Sequence, residues 1–190
     1  MMTFEEQKDS HRNLLDDTHR LVEQAVRGLE LPTPCDGWDV AALLSHMVGQ
    51  NDGFAAAVGT GSAPADAYAG PLVTSANAVT LWDGSAERLR AAFDAADPEA
   101  KVYLAEFDVE VTAANAMRMQ ILDAAVHAWD LATSLGDDFR PAEPVVADVL
   151  GFARSIAARG GTPGVFAAPL PESGGDDWKD ALRLLGRDAR

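Results

Sequence analysis

From Thr112 to about Leu135 the chain runs without a glycine or a proline, and it then closes on Gly136. A stretch of that length with no breaker, ended by the residue best suited to a left-handed cap, predicts a long α-helix. Its side chains are largely apolar, so the helix needs other helices to cover it. Four more segments read the same way. Thr3 with Glu6 has the capping-box pattern, and from Phe4 to about Leu29 the residues Leu14, Leu15, Val22, Ala25, Val26 and Leu29 fall roughly on one stripe. Two prolines and a glycine between Leu31 and Trp38 break that helix. Asp39 is a good N-cap for a second, from Val40 to about Val58, carrying Leu43, Leu44, Met47, Val48 and Phe54. A third, from about Ser75 to Ala95, offers Val79, Trp82, Leu89 and Phe93 for burial. After Pro141 and Pro144 a fifth runs from Val145 to about Ala158, and a short last helix is expected around Asp177–Leu185.

The connections are as telling. Residues 59–74 are rich in Gly, Ala, Pro and Ser with no helical stripe, long enough to cross the end of a bundle. Residues 96–110 are irregular, with Val102 to Phe107 suited to an extended piece, and 160–175 form a Gly/Pro-rich linker. The pattern predicts an all-α chain, a four-helix bundle with additional C-terminal helices. The expected organisation is one domain over 1–190, with its core bundle at about 3–158 and an extension at about 159–190. A chain of 190 residues can bury roughly 70% of its unfolded surface, so its core needs no disulfide or structural metal.

A net charge of −15 argues against general nucleic-acid binding and against docking on anionic membranes, both of which need clustered positive charge. Cys35 is the single cysteine, which excludes an internal disulfide and an all-cysteine zinc site. The N-terminal residues lack the basic flank and apolar stretch of a signal peptide, and no run reaches the ~18 apolar residues of a membrane span, so the expected address is the cytoplasm.

Chemistry has to come from the four histidines and their neighbours. Asp123 and His127 are four apart on the long helix, so both side chains leave one face, one turn apart, and can share a cation. They lie among Met119, Leu122, Val126, Trp129 and Leu131, where an uncompensated carboxylate is costly. A metal, an arginine or a hydrogen-bond network would each relieve it. An ordinary surface pair at the same spacing is the plainer alternative. His46 stands among apolar residues on the second helix, either as a core histidine or as a third ligand; three ligands would leave coordination positions open. Asp16 and His19 form a weaker rival pair at spacing three, and His11 is expected to be exposed. Arg118 can receive an anionic substrate group or pair with a neighbouring carboxylate, and Gln120, one turn before Asp123, is expected behind the ligands. Asp130 can orient His127 from behind, pair with an arginine, or cap a neighbouring segment. Cys35 is a candidate nucleophile, but with no histidine beside it in sequence it reads rather as a small packed residue, and the four tryptophans read as core. Phosphate-binding glycine loops, dinucleotide fingerprints and nucleophile elbows are absent from the sequence.

Three stretches together carry a resemblance: Pro32-Thr-Pro-Cys-Asp-Gly-Trp-Asp-Val-Ala-Ala-Leu-Leu-Ser-His-Met-Val-Gly49, Asp123-Ala-Ala-Val-His-Ala-Trp-Asp-Leu-Ala132, and Leu184-Leu-Gly-Arg-Asp188. The chain resembles the DinB-like superfamily of four-helix metalloproteins, in the branch related to mycothiol-dependent maleylpyruvate isomerase. The resemblance implies an up-down-down-up bundle with 59–74 as the crossover. It also implies a divalent cation, zinc first and nickel second, held by His46, Asp123 and His127. Relatives often carry Glu where this chain has Asp123, one methylene shorter. The implied activity is that of a thiol-dependent transferase or isomerase, with mycothiol as co-substrate and a small electrophile as substrate. The alternatives are a hydrolase using metal-bound water and a non-catalytic helical binding protein with a vestigial site. The expected partners are these small molecules, with no nucleic acid and no membrane; a homodimer is the assembly considered.

Overall fold

The computed structural model describes residues 2–162 and 166–189; part of the linker expected over 160–175 therefore lies outside the described residues. Contacts divide the chain into two compact units, Thr3–Phe139 and Arg140–Arg190, the latter grouped with the first two residues. The first unit contains helices α1 (Phe4–Ala25), α2 (Val40–Thr60), α3 (Ala78–Ala95) and α4 (Ala113–Ser134). Each of α1 and α2 packs against both α3 and α4, which makes a four-helix bundle. The second unit contains α5 (Glu143–Ala158) packed on α6 (Asp177–Leu184), so α5 groups with the C-terminal segment rather than with the bundle. Among the described residues no helix is long and apolar enough to cross a membrane.

The helix ends follow local chemistry. Thr3 and Glu6 form the reciprocal capping box, and the Asp39 side chain accepts from Ala42 N at 2.8 Å to start α2. α1 stops at Ala25, four residues short of the expected Leu29. The chain there enters a turn in which Gly28 N donates to Ala25 O and Leu31 packs its side chain over Gly28. α4 closes as a Schellman motif: Gly136 is left-handed, its N–H reaches Thr133 O, and Asp137 N reaches Ala132 O.

The segments expected to be irregular carry the small sheet. β1 (Ser62–Ala63) pairs parallel with β2 (Lys101–Leu104), which pairs antiparallel with β3 (Val109–Thr112), with Lys101 opposite Thr112. Val102 and Leu104 point inward and Lys101 and Tyr103 outward, the alternation of a half-buried strand. This sheet packs against α2 and α4. The crossover after α2 also has structure: a 3-10 turn at Ala65–Tyr68 docks on α2, where Gly49 and Gly53 leave no side chain in the way. A Cβ on Gly49 would strike the Tyr68 carbonyl, and one on Gly53 the Tyr68 ring. Gly70 passes Ser45 just as closely, and the Ser45 hydroxyl donates to Pro71 O at 2.7 Å. The crossover is thereby pinned to the turn of α2 that carries His46.

Candidate metal centre

The helices bring His46, Asp123 and His127 together. Asp123 Oδ1 lies 3.4 Å from His127 Nε2 and 3.9 Å from His46 Nε2, and the three donor atoms sit within 4.8 Å of one another. The two imidazole rings meet edge to face at 4.8 Å between centroids. Two donors each about 2.1 Å from one ion stand at most ~4.2 Å apart, so both measured pairs already suit a shared cation. Two nitrogens and one carboxylate oxygen are also the donors that zinc and nickel accept. The residues present fit a divalent metal.

Behind them Asp130, wholly buried, accepts from His127 Nδ1 at 2.9 Å. That bond leaves Nε2 facing Asp123 and fixes the ring, the usual way a histidine ligand is oriented. Burial pushes the His127 imidazole down, but the Asp123 charge and hydrogen bonds to Asp123, Asp130 and Cys35 hold it well above its ordinary value. For Asp123 burial acts upward. The His127 charge and hydrogen bonds from His127 and His46 outweigh it and hold the carboxyl well below the ordinary range. Two carboxylates thus bracket one imidazole and demand positive charge there, which either a proton on His127 or a cation can supply.

The loop before α2 completes the surroundings. Thr33 organises it: its hydroxyl donates to Trp38 O at 2.9 Å and accepts from Cys35 N at 3.1 Å, while Trp38 N reaches Cys35 O and Gly37 takes φ 78°. One side of the loop presents Cys35, whose Sγ lies 3.2 Å from Asp130 Oδ2 and 4.0 Å from His127 Nδ1. The other presents Trp38, half-buried, with its ring 4.9 Å from His46 and 6.3 Å from His127. Sequence reasoning missed both. Ninety-two residues separate Cys35 from His127, and the only signal was the breaker-rich Thr-Pro-Cys-Asp-Gly-Trp run itself.

Other expectations need correcting. His11, expected at the surface, is buried in the bundle core beside Phe93. It begins a one-way chain of hydrogen bonds: His11 Nε2 to Gln120 Oε1 (2.6 Å), Gln120 Nε2 to Asn51 Oδ1 (3.0 Å), Asn51 Nδ2 to Ser85 Oγ (3.1 Å), and Ser85 Oγ to Trp82 O (2.9 Å). Each of the four helices contributes one side chain to it. Gln120, expected behind the ligands, has both ends of its amide in that chain instead. The rival pair separates: His19 bonds Asp83 at 2.7 Å, and Asp16 pairs with Arg90. Arg118 is half-buried on α4. Five positions before Asp123, its Cα lies roughly 140° around the helix from it.

The family model described as mycothiol maleylpyruvate isomerase N-terminal domain matches residues 10–132, a span that holds every residue of the cluster and its loop. Two solved structures share the fold: the mycothiol-dependent maleylpyruvate isomerase (TM-score 0.67) and a histidine-to-alanine mutant of it (TM-score 0.69). Each is 16% identical to this chain and aligned over 86% of this chain and 75% of the other. No curated protein matches.

Proposed function

Because the chain belongs to the mycothiol maleylpyruvate isomerase N-terminal domain family, we propose that it is a metal-dependent enzyme using a low-molecular-weight thiol of the mycothiol kind. On this reading the thiol acts on a small electrophile, by transfer or by isomerisation. The observation that carries it is the convergence of His46, Asp123 and His127 on one point reached from two helices. These three would hold the ion, with zinc the first candidate. When bound, such a cation lowers the pKa of a thiol, supplying thiolate near neutral pH.

The remaining work belongs to the chain. Asp130 keeps His127 Nδ1 engaged so that Nε2 faces Asp123. Trp38 stacks its ring beside the two imidazoles on one side. Protons released on metal or thiol binding leave from His127 and from the thiol, because Asp123 already lies in its anionic form. The test incubates zinc-loaded protein with a panel of small electrophiles, with and without mycothiol. Thiol-dependent turnover that disappears in Asp123→Ala is the expected result. Turnover indifferent to thiol would replace this reading with hydrolysis at the same three residues, and no turnover with no saturable thiol binding would overturn both.

A further inference from the structure

We propose that Cys35 is a positioning residue of this site: its thiol holds the Asp130 carboxylate that orients His127. The inference rests on the metal reading above and assigns a task to a side chain that neither the ligand set nor the thiol chemistry uses. A single oxygen, Asp130 Oδ2, receives both groups, His127 Nδ1 at 2.9 Å and Cys35 Sγ at 3.2 Å. The sulfur is farther from the imidazole, 4.0 Å from Nδ1, so the thiol proton points to the carboxylate and not to the histidine. A nucleophilic cysteine would instead need the imidazole as its base.

Asp130 is fully buried, and a carboxylate there is stable in one orientation only while its lone pairs are met. The thiol meets one. It comes from a loop that cannot easily move, because Thr33 bonds the backbone on both sides of Cys35 and Trp38 is seated on His46. The Thr33–Trp38 loop therefore acts on the site from two sides, through Cys35 behind His127 and through Trp38 over His46. Groups that orient a histidine ligand contribute about 10- to 100-fold in metal affinity, and a group acting one bond farther back belongs at the low end.

Two readouts test this. Cys35 is the only thiol in the chain, so its S–H stretching band in the infrared is assigned without ambiguity. In metal-free protein that band should carry the shift of a hydrogen-bonded thiol and move toward the free value in Asp130→Asn; an unshifted band in the wild type, or no movement, overturns the proposal. Zinc affinity is then measured by chelator competition. Cys35→Ala should lower it about tenfold, while Cys35→Ser, which keeps a donor, should stay close to wild type. In the Asp130→Asn background Cys35→Ala should remove nothing further, because the thiol acts through that carboxylate. Equal losses in Ser and Ala, or the same Ala loss in both backgrounds, overturn it. Wild-type protein that takes up no zinc ends the metal reading, and the infrared band still decides whether the thiol holds Asp130.

Discussion

Acid should weaken the bundle through His11, a residue with no part in the proposed chemistry. Burial holds its imidazole down to about 4, against the 6.5 of a free histidine. The hydrogen bond to Gln120 works in the opposite direction and is outweighed, and the nearby Arg90 and Arg12 add to the lowering. Between those two values the unfolded chain takes up a proton that the folded chain refuses. Stability is therefore full above about pH 6.5 and is lost as the pH falls toward 4. At ~1.4 kcal/mol per pH unit the whole window costs on the order of 3 kcal/mol, about 2 of it by pH 5. The perturbation is His11→Gln, whose Nε2 can still donate toward Gln120 but which cannot titrate. Urea denaturation at pH 7 and pH 5, followed by circular dichroism, gives the four free energies required. The variant should be less stable at pH 7, since it loses the edge-on contact with Phe93, yet the gap to wild type should shrink by about 2 kcal/mol at pH 5. Comparing the pair cancels every other group that titrates in the window. A gap that stays constant between the two pH values would refute the reasoning, because it would mean that the folded protein accepts the proton.

Three further predictions concern the site and its support. Purified untagged protein should carry close to one zinc or nickel per chain by elemental analysis, and His127→Ala should lose it. Removing the metal with a chelator should lower the melting temperature only moderately, because a core of this size folds without it. Gly49→Ala should drive the crossover off α2, since the new Cβ would collide with Tyr68 O and the Gly70 backbone. Thermal denaturation should register a loss of about 1–3 kcal/mol, and metal uptake should fall with it because the same turn of α2 carries His46.

Much of this arrangement was legible in the residues. Helix periodicity and caps located the α-helices of the described residues to within four residues of each end, because Thr3, Asp39 and Gly136 act locally. The His46, Asp123 and His127 convergence was reached through spacing on one helix together with the family pattern. What escaped were the features made by chain closure. Val102–Leu104 shows only as a short extended run, and its partners come from either side in sequence, one of them two residues long. His11 looks like a surface residue in a polar stretch. Its burial follows from a network whose other members, Asn51, Ser85 and Gln120, are each unremarkable alone. The bond from Cys35 to Asp130 spans 95 positions and leaves no periodic trace.

The three side chains of the cluster are graded in depth. Side-chain exposure rises from 6% at His127 through 17% at Asp123 to 25% at His46. Asp130 and Cys35 stand behind His127 on the α4 side, and His46 on α2 is the most exposed of the three. Trp38 lies against His46, and the Gly70–Pro71 stretch is fastened to Ser45, the neighbour of His46. The His11–Gln120–Asn51–Ser85 chain complements this by bonding α2 to α4 near the turn that precedes Asp123, which holds His46 and Asp123 at one level of the bundle. The core hydrogen bonds thus tie the two ligand-bearing helices from inside, while the crossover fastens α2 from outside.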